Sequence, residues 1–165
     1  MGNRLARCLL GAALLGSLSA CFQSDEPLTP ATEALAGSTL VGSWRCTSKN
    51  LDKGEFLTAN IRLFDERQLL AELIHSKEPP TVFYRLYPTR FQTGTIWNVS
   101  ELETTATLSE WNFVRLAQPT KNTLEMALVE DDSLRGKTEA EKRKDLRLRA
   151  ADPQIFGDIT RCTRI

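Results

Sequence analysis

Histidine is almost missing from this sequence: His75 is the single one in 165 residues. That scarcity removes most histidine-based metal sites and nucleophile–His–acid triads. Net charge is missing too, because 21 Lys and Arg balance 21 Asp and Glu. A generic nucleic-acid-binding surface is therefore not expected. No apolar run reaches the ~18–20 residues of a membrane-spanning helix. Four cysteines are too few for a disulfide-built miniprotein. No glycine-rich phosphate loop precedes a helix, and no Gly-x-Ser-x-Gly elbow occurs. What is left is a single soluble globular domain, with no enzyme activity, no cofactor, no metal site and no nucleic-acid partner expected.

The N-terminus has a two-part character. Arg4 and Arg7 come first, with no acid, and an apolar stretch over residues 9–18 follows. That is the layout of a secretory signal, and it is too short for a permanent span. It ends on Leu18-Ser19-Ala20-Cys21. Read from the residues alone, this is an ordinary signal peptide or a buried helix with a chance cysteine. The four residues also resemble the lipobox of bacterial lipoproteins, in which small residues flank the scissile bond and a thiol receives lipid. The resemblance implies a leader over 1–20, cleavage before Cys21 and acyl chains, palmitate among them, on Cys21. Two or more chains anchor stably, at ~0.8 kcal/mol per buried methylene. It also implies the cell outer membrane, facing the periplasm, because Phe22 is not the Asp that retains enteric lipoproteins in the inner membrane.

Loss of residues 1–20 shortens 165 residues to 145 and removes two arginines, so 19 basic side chains face 21 acidic ones. Cys21, Cys46 and Cys162 remain. With Cys21 acylated, Cys46 and Cys162 form an even pair in an oxidising compartment, and a disulfide is expected. The alternatives are two free thiols, or a metal site shared with His75. A bridge would enclose a loop that the chain-entropy model values at about 4–5 kcal/mol. It would also make the first and last strands neighbours.

Residues 21–38 read as a flexible tether, rich in Ser, Thr, Pro and acid, with a short helix considered over 30–36. As a flexible coil, the 17 residues after Cys21 would reach about 20–25 Å. Residues 39–165 read as one β-rich domain. Leu40, Gly42, Trp44 and Cys46 share a strand face by period two, as do Leu57, Ala59, Ile61 and Leu63. Further runs are 69–75, 82–88, 95–99, 102–108, 111–116, 124–129 and 159–165. Polar punctuation between them (Asp65-Glu66-Arg67, Glu78-Pro79-Pro80, 118–122) predicts an antiparallel sandwich or barrel of about eight strands. Thr138 and Glu141 fit a capping box, which predicts one short helix near the C-terminus. Residues 142–149 continue it or turn into a strand, since Leu146 and Leu148 alternate with basic residues; the helix is the favoured reading. Residues 137–149 hold six basic and three acidic side chains. They make a solvated face, or one for anionic lipid headgroups.

Gly42-Ser43-Trp44 is similar to the Gly-x-Trp signature of lipocalin-like small β-barrels. In that family a late arginine packs over the tryptophan at the closed end, and Arg164 stands at the matching place. The resemblance implies structural closure by Trp44 and Arg164 and a barrel that holds a lipophilic ligand, with no ligand-binding residue fixed. Trp44, Trp97, Trp111, Phe83, Tyr84 and Tyr87 are the candidate lining. The expected function is thus a lipid-anchored binding module. The alternative is a protein-interaction lipoprotein: an envelope assembly factor, a pilotin-like escort or a protease inhibitor. His75 reads as a strand-end residue, Glu101 and Glu103 as solvated carboxylates, and Asp131-Asp132 as lacking calcium-loop spacing.

Overall fold

The computed structural model describes residues 23–33, 35, 38–77, 81–102, 110–130, 134 and 137–165. The expected leader, Cys21, the 103–108 part of the strand run, Glu103 and Asp131-Asp132 lie outside these residues. The elements are β1 (Gln23–Ser24), β2 (Gly42–Thr47), β3 (Leu57–Leu63), β4 (Leu69–His75) and β5 (Val82–Phe91), then β6 (Gly94–Glu101), β7 (Trp111–Thr120) and β8 (Thr123–Leu128). They end with α1 (Glu139–Arg149), a 3₁₀ turn (Pro153–Ile155) and β9 (Thr160–Arg164). Strands β2 to β9 follow one another around a closed ring, sealed by the β2–β9 and β7–β8 pairings, and every pairing is antiparallel. The fold is an eight-stranded barrel with β1 as an extra strand.

Register decides which side chains fill it. Opposed residues share a face. Trp44, Ala59, Leu73 and Val82 therefore point the same way, as do Leu69, Leu86, Val99 and Asn112. On β2 and β9 the opposite face carries exposed Arg45, Thr47, Arg161 and Thr163, so the Trp44 face is the lumen. Trp44 and Leu69 are wholly buried there.

The second face is not uniformly wet. On β5, β6 and β7 the outward residues Tyr87, Ile96, Asn98, Ser100, Trp111 and Phe113 are buried as well. Helix α1 supplies one cover, through buried Leu146 and the Ala150 that follows it. Thr138 accepts from the Glu141 N–H while Glu141 accepts from the Thr138 N–H, so both halves of the capping box are formed. The helix thus persists through Arg149. Its end comes so close to β6 that a Cβ on Gly94 (φ +154°) would sit 3.1 Å from the Ala150 carbonyl.

The other cover is formed by residues 23–33 and 35, and it corrects the expectation of an undocked tether. Gln23 and Ser24 pair with Asn112 and Trp111 of β7. The Leu28 N–H donates to Asn98 Oδ1 at 2.8 Å, and Tyr87 Oη donates to the Thr29 carbonyl at 2.8 Å. Thr29 and Thr89 hydroxyls meet at 2.7 Å, Glu33 pairs with Arg90, and the Leu35 N–H donates to the Glu66 carbonyl. None of the described residues from 30 to 35 is helical. The docking answers a physical demand: strands apolar on both faces need cover on both.

Two strand limits also differ from the sequence reading. β7 runs through Gln118-Pro119-Thr120, leaving Lys121-Asn122 as the turn. A register shift between Ala117 and Thr120 accommodates the proline. β5 runs past Pro88, which lies beyond the last β4 pairing, Leu69 with Leu86. A missing N–H is tolerated where a strand has one neighbour.

Candidate functional site

One end of the barrel is plugged. Trp44 is wholly buried, and its Nε1–H donates to the Leu40 carbonyl at 2.9 Å. Arg164 lies opposite it in register, with Cζ 4.3 Å from the ring centre. Its guanidinium donates to the carbonyls of Thr39, Val41 and Lys121 at 2.6, 2.9 and 3.1 Å. A cation over an indole face gains electrostatically, by about 0.5–2 kcal/mol. Gly42 has φ +143°, and a Cβ there would fall 2.4 Å from Arg164 Nη1. The glycine thus makes room for the arginine. Two residues along, Cys46 faces Cys162 with sulfurs 2.05 Å apart and Cα atoms 3.9 Å apart. The β2–β9 seam is therefore covalent.

The remaining lumen is less completely filled. Inward-facing Leu73, Val82, Tyr84, Val99, Leu116 and Met126 are only half-buried, whereas Trp44, Leu57, Ile61 and Leu69 are buried. On the same inward face Leu86, Trp97, Val114, Leu124 and Leu128 are buried, so the half-buried side chains alternate with filled positions. Tyr84 brings a polar tip. Burial pushes its phenol up to about 12, and the Glu101 carboxylate opposite it in register adds to the shift. Of the six aromatic candidates, register turns Trp44, Trp97 and Tyr84 inward. It turns Phe83, Tyr87 and Trp111 outward, where Tyr87 meets Trp111 edge-on at 5.6 Å between ring centres. The guanidinium of Arg85 lies over the Trp111 ring, with Cζ 4.6 Å from its centre.

His75 ends β4 beside Glu55 and Lys77. Its Nδ1 accepts from the Lys77 N–H, its Nε2 lies 3.7 Å from Glu55, and Lys77 bonds Glu55 at 2.7 Å. The hydrogen bond from the Lys77 ammonium lowers the Glu55 carboxyl and raises the Lys77 ammonium from their ordinary values. These contacts tie the β4 end to the loop before β3. Among the described residues no three His, Cys, Asp or Glu side chains converge as a metal site requires, and no helix is long and apolar enough to cross a membrane.

Sequence reasoning missed the Asn98 network. Asn98 has no exposed surface, and its amide donates to the Tyr87 carbonyl and Thr89 Oγ1 at 3.2 and 2.9 Å. In the sequence Asn98 and Ser100 alternate with Trp97 and Val99 as solvent-facing residues do. The available signal was Tyr87, Phe91, Ile96 and Phe113 on that same face.

No family model, no curated protein and no solved structure matches the chain.

Proposed function

We propose that the protein is a lipid-anchored envelope lipoprotein whose barrel binds a lipophilic ligand. The anchor is Cys21, in the sequence Leu18-Ser19-Ala20-Cys21, and the location is the periplasmic face of the outer membrane. One observation supports the ligand reading: the inward side chains Leu73, Val82, Tyr84, Val99, Leu116 and Met126 are only half-buried, in a barrel plugged at its Trp44–Arg164 end. Sites for lipophilic molecules are concave and mostly apolar, with few polar groups. Tyr84, held neutral, and Glu101 are such groups.

The test is titration of the detergent-freed protein with a fluorescent polyene fatty acid. Saturable emission, displaced by a long-chain fatty acid, is expected. Val99→Trp fills the lumen and abolishes it, while Ile74→Trp on the outer wall leaves it intact. Non-saturable binding, or binding indifferent to Val99→Trp, rejects the reading.

A second reading, protein interaction, is favoured by other residues. Val41, Leu63, Phe64 and Ile165 are exposed at the plugged end. Crosslinking in intact cells from this end, with capture of one envelope protein, would support it.

A further inference from the structure

Helix α1 presents an outer face whose charges are not those its composition suggests. Lys137 pairs with Asp145, Lys142 with Glu139, Arg143 with Glu26 and Arg149 with Asp152. Lys144 and Arg147 have no such partner among the described residues. Both are exposed, and Leu148 beside them shows 61% of its surface. At helical spacing Lys144 and Leu148 stack on one side and Arg147 adjoins them. Two cations around an apolar side chain form the chemistry of an anionic lipid interface.

The chain's own path indicates what covers this face. The first described residues of the docked segment are Gln23 and Ser24, and Ser24 lies beside Glu139 in the first turn of α1. Glu26 then pairs with Arg143 one turn on, at 2.9 Å. Two residues of chain span at most ~7 Å, so Cys21 stays within that distance of Gln23. No slack remains for the domain to stand away from an acylated Cys21. We propose that the Lys144–Arg147–Leu148 face of α1 docks on the anionic bilayer that holds that residue. This rests on the anchor reading above.

The processed protein is extracted from membranes and its intact mass measured. It is then reconstituted in vesicles of phosphatidylethanolamine with one quarter phosphatidylglycerol. An environment-sensitive fluorophore is placed at Leu148→Cys, and in a separate protein at Ile74→Cys on the outer face of β4. Position 148 is expected to shift blue and be quenched by brominated lipid, while position 74 reports water. The pair Lys144→Glu and Arg147→Glu should lower the 148 quenching about tenfold. Neutral phosphatidylcholine vesicles should lower it similarly. An acylated protein whose label at 148 stays in water overturns the docking and leaves the anchor standing. An unmodified Cys21 overturns the anchor, and the docking with it.

Discussion

Arg164 lies over the indole of Trp44 while its guanidinium bonds three backbone carbonyls, those of Thr39, Val41 and Lys121. Strand β9 thereby holds the entry to β2 and the β7–β8 turn at one point. Arg164→Ala leaves those carbonyls to water and is expected to cost about 2–4 kcal/mol in urea unfolding. Gly42→Ala should lose a similar amount, because the new Cβ displaces the guanidinium from an already left-handed backbone. If Arg164→Ala and Trp44→Phe add without coupling, the two residues do not act together.

The Cys46–Cys162 bridge closes a separation of 116 residues. Peptide mapping without reductant should recover the two cysteines as one linked pair. Replacing both by Ala should lower stability by up to about 4–5 kcal/mol, with the barrel's β-sheet signal retained at low temperature. Two free thiols in the native protein would contradict the seam.

The chain has only two tyrosines, Tyr84 and Tyr87, so tyrosinate absorbance reports these sites alone. Burial raises both phenols to about 12. The folded state thus keeps protons that the unfolded chain releases near 10, its ordinary value. The contribution to stability is full below that value and is lost as pH rises through 12. The 295 nm titration should lie near 12 in native protein and near 10 in denaturant. Coincident curves would show that neither ring is shielded.

Asn98→Ala removes the acceptor of the Leu28 N–H and two donors to Tyr87 and Thr89. A cost of about 1–3 kcal/mol is expected from the groups left unpaired. Hydrogen exchange localises it: the Leu28 and Leu35 amides should be protected in the parent, and the Leu28 amide should lose protection in the variant before β2 to β9 do. Unprotected amides in the parent would mean the segment is not docked.

The barrel was legible because its inner face is written locally. Leu57, Ala59 and Ile61 against Thr58, Asn60 and Arg62 state a strand and its orientation without outside information, and a cysteine near each end of the domain suggests how the ring closes. The capping box at Thr138 was equally local. What could not be read was the second covering of β5 to β7. Asn98 is polar and buried because its partner, Leu28, arrives from 70 residues away. Local pattern records alternation, not who covers which face. Composition also overstated the basic face at α1, where Glu139 and Asp145 of the helix, Asp152 just past it and Glu26 from the N-terminal segment pair with four of the six cations.

A ring of strands presents no free edge except where one strand outruns its neighbour. β7 does so at Trp111 and Asn112, since its pairing with β8 begins only at Val114. Gln23 and Ser24 sit on that overhang. Two residues of the N-terminal segment thus act as a guard: without them, the backbone of β7 at Trp111 and Asn112 is bare, and a second copy of the chain could add a strand there.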